Sequence, residues 1–242
     1  MQMRRFAVFD IDGTLIRWQL YHAVTDALAK DGHIKPEAFQ AIRDSRMRWK
    51  RRGGESSFKS YERQLILIYE DVLRTLSVEQ MEGAVNAVFD EYKDQVYTYT
   101  RELIKRLKAK NYFLLAISGS QTEIISKIAA YYGFDDYVGT IYEYKAGRFT
   151  GRKEVGSLRK DQTLKALAKK HSLEFKGSIA VGDSDSDTSM LELVEKAIAF
   201  NPEKELFEHA KTQGWKVVIE RKNMVYELES KDGRYYLAKT SA

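Results

Sequence analysis

Cysteine is absent from the 242 residues, which removes disulfides, thiolate metal sites and cysteine nucleophiles together. Carboxylates are then the ligands left for a hard cation. Histidine is nearly as scarce: His22, His33, His171 and His209 stand well apart, so a histidine-built metal cluster is not expected. No stretch approaches the roughly 18 uninterrupted apolar residues of a membrane span. The start, Met1-Gln2-Met3-Arg4-Arg5, runs straight into a strand pattern with no signal-peptide apolar region, and the expectation is a cytoplasmic protein with no membrane partner. With 43% hydrophobic and 31% charged residues the composition is that of a globular protein, long enough for two compact units or one domain with a large insertion.

What is present centres on Phe6-Ala7-Val8-Phe9-Asp10-Ile11-Asp12-Gly13-Thr14-Leu15. An apolar run of strand formers ends abruptly in two carboxylates, then glycine and threonine. A buried central strand delivers reactive groups to its carboxyl end in this way. In an extended strand Asp10 and Asp12 point the same way, and Gly13 lets the backbone turn without a Cβ clash. Two acids this close repel unless a positive charge lies beside them, so the pair asks for a cation. The same residues also read as a strand followed by an ordinary Asp-Gly turn.

Residues 17–96 read as helical almost throughout. Tyr21, Val24 and Leu28, then Phe39, Ile42 and Met47, recur at helical intervals, with Pro36 in the first turn of the second helix. Gly53-Gly54-Glu55-Ser56-Ser57 is a loop; Leu65, Ile68, Tyr69, Val72 and Leu76 follow as a helix face, and Ser77 with Gln80 forms a capping box. Arg43, Arg46, Arg48, Lys50, Arg51 and Arg52 form a cationic face that could attract phosphate esters or nucleic acid. A solvated helix face is the favoured reading, because no aromatic stacking motif accompanies it.

From residue 101 onward helices and strands alternate, broken only by a hairpin around Lys145-Ala146-Gly147. Strands separated by helices of this length imply a parallel, Rossmann-like sheet with helices on both faces, hence an α/β protein. The expected organisation is an α/β core from residues 1–16 and 97–221, a helical domain at 17–96 inserted after the first strand, and a terminal β-hairpin at 222–242.

Three further signals fall at the carboxyl ends of strands, where open parallel sheets bind ligands. Ser118 and Gly119 lead from a strand into a helix, whose free amides favour an anion; a plain helix cap is the other reading. Gly182-Asp183-Ser184-Asp185-Ser186-Asp187 is a carboxylate-dense turn suited to magnesium, or an acidic helix start. Lys160 opens the preceding helix and alone is an ordinary surface lysine.

Together these residues resemble the haloacid dehalogenase (HAD) superfamily of phosphotransferases. Asp10, Asp12, Gly13 and Thr14 match its first motif, Ser118 its second, and Asp183 and Asp187 the Gly-Asp-Ser-x-x-Asp of its fourth. Lys160 matches the lysine of the third by its interval to Gly182-Asp183, with Lys153 the competing candidate. The helical insertion resembles the cap of the phosphoserine-phosphatase branch.

The resemblance implies a phosphatase with Asp10 as nucleophile and Asp12 as general acid and base. It implies Mg2+ held by Asp10, the Asp12 carbonyl and Asp183, phosphate held by Ser118, Gly119 and Lys160, and Asp187 in support. Asp12 distinguishes phosphatases from the dehalogenases, which lack an acid there, and from the ion-pumping ATPases, which carry threonine. Gln19 stands near the place where the phosphoserine enzymes use a glutamate, and Phe58 and Arg63 lie roughly where those enzymes place a phenylalanine and an arginine. The expected substrate is a small polar phosphate ester, phosphoserine-like. Alternatives are a phosphomutase or phosphotransferase of the same superfamily, and a phosphate- or nucleic-acid-binding module using the basic helix face.

Overall fold

The computed structural model describes residues 4–54 and 57–242. Residues 1–3, and Glu55 and Ser56 of the expected loop, lie outside the described residues. The chain divides into two compact units, one of Met1–Gln19, Tyr92–Thr140 and Val155–Ala242, the other of Leu20–Glu91 and Ile141–Glu154.

The first unit is built on β1 (Arg4–Phe9), in which Arg4 and Arg5 are exposed and the next four residues are fully buried. β1 lies between β2 (Phe113–Gln121) and β5 (Leu173–Gly182), parallel to both. The order runs β4 (Arg148–Val155), β3 (Asp136–Lys145), β2, β1, β5, β6 (Lys196–Phe200), β7 (Lys216–Arg221), β8 (Met224–Lys231), β9 (Arg234–Ser241). The last two join antiparallel, so the terminal hairpin extends the sheet rather than standing apart. Successive residues of a buried strand face opposite layers. Phe6 and Val8 enter one cluster with Leu164, Leu167, Met190, Leu191 and Leu206, whereas Phe9 meets Phe134 edge-on at 5.9 Å. Each fully buried side chain of this size contributes about 1.5–3 kcal/mol. Three strand ends therefore converge where β1, β2 and β5 stop.

The helices of this unit are α5 (Thr98–Ala109), α6 (Thr122–Tyr132), α7 (Lys160–Lys170), α8 (Thr188–Leu191) and α9 (Lys204–Gln213). α5 starts without a side-chain cap of its own. The Glu220 carboxylate of β7 fills that role, accepting Thr98 N–H at 3.0 Å and Tyr99 N–H at 2.8 Å. Glu220→Ala is expected to lower stability by about 1–2 kcal/mol, since one buried and one part-buried donor lose a charged acceptor, and Glu220→Gln by less. Urea unfolding checks this; an unchanged midpoint in the alanine variant would remove the remote cap.

The second unit holds α1 (Leu20–Lys30), α2 (Pro36–Lys50), α3 (Ser57–Leu73) and α4 (Val78–Tyr92). Ser77 and Gln80 cap α4 reciprocally at 2.8 and 3.2 Å. Residues 141–154, assigned to the core by the sequence reading, group with these helices: Arg148 donates to Thr75 O, Lys153 pairs with Glu70, and Tyr142 meets Tyr69 edge-on. Arg46 departs from the expected cationic face. Its guanidinium is bidentate to Asp26 at 2.7 and 2.8 Å and donates to the Tyr61 hydroxyl at 2.9 Å, while Tyr61 contacts His22 Nδ1 at 3.1 Å. Burial, seconded by the Arg46 charge, drives His22 down to about 3 and keeps it neutral. Among the described residues no helix is long and apolar enough to cross a membrane.

Candidate active site

Asp10 follows β1 directly, and its N–H still donates to Val181 O of β5 at 2.9 Å. The chain then closes into a tight loop: Leu15 and Ile16 N–H both return to Ile11 O, and Gly13 N–H donates to Ile16 O, each at 2.9 Å. Gly13 has φ +84°, and a Cβ there would lie 2.3 Å from Asp183 Oδ2. Glycine is thus needed both for the turn and for the approach of the second carboxylate.

Lys160 reaches the loop from the start of α7. Its ammonium donates to Asp10 Oδ1 at 2.7 Å, Asp187 Oδ1 at 2.6 Å and Ile117 O at 3.2 Å, so all three donors are used. Lys160 is 2% exposed and Asp187 fully buried. Burial works against the ammonium, but Asp10 and Asp187 more than offset it and hold Lys160 above its ordinary value. Lys153, the competing lysine, is engaged by Glu70 in the other unit.

Asp187 is fully committed. Besides Lys160 on Oδ1, its Oδ2 accepts the N–H groups of Asp183 and Ser184 at 3.0 Å and the Ser184 hydroxyl at 3.2 Å. A Cβ at Gly182 would come within 2.5 Å of the Asp187 side chain, so that glycine keeps the turn closed. Asp187 is therefore an organiser of the turn and of Lys160. Asp183 accepts the Thr14 hydroxyl on Oδ1 at 3.0 Å, and its own carbonyl accepts Glu203 N–H at 2.9 Å.

Asp10, Asp183 and Asp187 each offer an oxygen within 4.8 Å of the others, a set of hard donors that fits a divalent cation. With Asp187 saturated, Asp10 and Asp183 are the carboxylates able to serve it. Burial raises Asp10 to about 7, Lys160 opposing and the charges of Asp187 and Asp12 adding to the rise. Burial, with Asp10 and Asp187 adding, raises Asp183 well above the usual carboxylate range.

Ser118 donates to Asp12 Oδ2 at 2.6 Å and accepts Ser120 N–H at 3.0 Å. Strand β2 runs on through Ser118 to Gln121 instead of turning at once, because Gln121 pairs with Thr140 of β3 after an irregularity and Thr140 donates to Gly119 O at 2.7 Å. The structure thus brings Asp10, Asp12, Ser118, Lys160, Asp183 and Asp187 into one connected arrangement, with Gly119 beside Ser118. Gln19 ends the opening segment of the first unit. Phe58 and Arg63 lie on α3 of the second, Phe58 packed on Trp49 at 5.0 Å and Arg63 exposed. Thr14 was named from the sequence as part of the first motif, without the role of its hydroxyl; missed altogether were the Ile117 carbonyl and Glu203. Thr14 follows Asp12 closely enough for that role to have been suspected, whereas Glu203 carries no local signal.

A phosphoserine phosphatase of Archaeoglobus fulgidus is 26% identical over 201 residues, 82% of this chain and 53% of that protein. A histidinol-phosphatase of Neisseria meningitidis serogroup C is 26% identical over 232 residues, 89% of this chain and 99% of that protein. The chain spans about half the length of the Archaeoglobus protein and of the mycobacterial relatives it matches. Among solved structures, a protein of unknown function from Bordetella pertussis Tohama I superposes with a TM-score of 0.73 at 24% identity, covering 90% of this chain and 99% of that one, a likeness of fold. Residues 7–192 match the haloacid dehalogenase-like hydrolase description, and they carry every residue of the acidic centre; the chain belongs to that family.

Proposed function

We propose that the protein is a metal-dependent phosphomonoesterase that hydrolyses a small polar, phosphoserine-like ester through an aspartyl-phosphate at Asp10. The observation that carries this reading is the fixed pairing of Asp10 with Lys160, beside Asp183 and one residue removed from Asp12. Magnesium, held by Asp10, Asp183 and the Asp12 carbonyl, would supply positive charge that lets an anionic nucleophile approach an anionic ester.

Lys160 engages Asp10 through Oδ1, which leaves Oδ2 to attack phosphorus. The new P–O bond to Asp10 forms as the P–O bond to the leaving alcohol breaks, and Asp12 gives that oxygen its proton. A water then attacks phosphorus, loses its proton to Asp12 and displaces Asp10, releasing phosphate. Ser118 holds Asp12 until a phosphoryl oxygen takes the hydroxyl; with the Gly119 amide and Lys160 it then bears the charge of the transferring group. The relatives named above act on phosphoserine and histidinol phosphate, which supports a small ester without choosing its alcohol. A cytoplasmic setting belongs to the same proposal. Phosphate release from phosphoserine, histidinol phosphate, sugar phosphates and nucleotides, each with magnesium, tests the reading. No release from any of them would overturn it.

The raised acids give a second test. Free carboxylates titrate near 3.8 and Asp10 near 7, so between these values the folded form holds the extra proton. Its contribution to stability therefore falls as pH rises through that window. A cation competes with those protons, so magnesium is expected to raise Tm more at pH 8 than at pH 6. Equal shifts at both pH values would place the cation elsewhere.

A further inference from the structure

Glu203 carries a carboxylate that has no part in the scheme above and does not cap its own helix. It stands directly before α9, where a side chain ordinarily accepts the first free N–H groups, yet it makes no such bond. The carboxylate reaches the acidic turn instead. Its Oε1 accepts Asp185 N–H at 2.6 Å, while Glu203 N–H donates to Asp183 O at 2.9 Å, so the two bonds flank Ser184. From inside the turn, Asp187 Oδ2 accepts the N–H groups of Asp183 and Ser184 at 3.0 Å, and Asp187 N–H donates to Ser184 O at 3.0 Å. The backbone from Asp183 to Asp185 is thus gripped from within by Asp187 and from outside by Glu203.

Glu203 is itself anchored on both sides. Asn201, at the end of β6, donates its N–H to Val218 O of β7 at 2.8 Å and accepts Glu220 N–H on Oδ1 at 2.8 Å. Pro202 then limits the backbone, and beyond Glu203 the helix begins with Phe207 N–H donating to Glu203 O at 2.9 Å over the fully buried Leu206. Such an anchor matters because Asp10, Asp183 and Asp187 hold oxygens within 4.8 Å of one another and repel, which favours any motion that swings Asp183 away. A clasp that resists this motion keeps the ligands ordered before the cation arrives. We propose that Glu203 is a positioning residue for the cation site: by holding the Asp183–Asp185 backbone it keeps Asp183 within reach of Asp10 and raises the affinity for magnesium. The inference rests on the metal-dependent reading of the site and not on the identity of the ester.

Calorimetric titration of magnesium into wild type, Glu203→Ala, Glu203→Gln and Glu205→Ala provides the test. Glu203→Ala is expected to raise Kd about tenfold, the lower end of what loss of such a support costs a metal site, and excess magnesium should restore kcat. Glu203 is exposed, so Tm without the metal should stay close to wild type. Glu203→Gln keeps an oxygen for Asp185 N–H and should recover most of the affinity. Glu205→Ala deletes a charge in the same first turn of α9 and should leave Kd unchanged. An unchanged Kd in Glu203→Ala would overturn the assignment, as would equal losses in the alanine and glutamine variants, which would make the effect one of charge. If wild type itself takes up no magnesium, the metal-dependent reading fails first and this inference falls with it.

Discussion

Asp10→Asn is expected to abolish phosphate release, by about 10⁴-fold or more, the scale on which removal of a covalent nucleophile is felt. The variant should nevertheless fold. Its amide oxygen can still accept from Lys160, which also keeps Asp187 as a charged partner, and one buried charge with a raised titration point is removed. Loss of the ion pair and relief from desolvation oppose each other, so stability should change by no more than about 1 kcal/mol. Phosphate release and thermal unfolding, measured on the same preparation, separate chemistry from folding. Full activity in a folded Asn variant would mean that water attacks the ester directly, and the aspartyl-phosphate scheme would have to be given up.

The chemistry of this site was legible at Asp10 and Asp12 because two acids end a buried strand pattern, although an ordinary Asp-Gly turn fitted the same residues until Ser118, Lys160, Asp183 and Asp187 were set beside them. Asp183 and Asp187 were legible from their density in one turn. Lys160 was not, as a lysine at a helix start; it became identifiable only through its interval to Gly182-Asp183. Glu220 could not have been found at all, because its partners Thr98 and Tyr99 lie more than 120 residues away and no local pattern links them. Arg46 is a different case. It was read with its charged neighbours, yet Ile42, Arg46 and Trp49 share a helix face at intervals of four and three, and the structure turns that face inward. Periodicity outweighed charge there, because burying Trp49 against Tyr61 and pairing Arg46 with Asp26 satisfy the whole face at once.

Lys160→Met is the substitution expected to cost the most stability. It keeps the volume of the side-chain stem and removes the cation from between Asp10 and Asp187, with Asp183 close by. Breaking a buried pair leaves uncompensated charge, at a cost of about 3–5 kcal/mol, and with it the orientation of Asp10. The deficit should depend on pH in a definite direction. In wild type Lys160 opposes the rise of Asp10, so without it Asp10 takes up its proton at still higher pH. At pH 5 the variant can relieve itself by protonation; at pH 8 it must either ionise its acids in a buried site or pay for the proton, so the loss should grow between these values. Removing a second charge tests the account from the other side. Lys160→Met combined with Asp187→Asn should recover part of the stability lost in the single variant, a coupling that urea unfolding of the four proteins reads directly. If the two substitutions simply add, and the loss in Lys160→Met is the same at pH 5 and pH 8, then Lys160 is a packing residue and the electrostatic account of this centre is wrong.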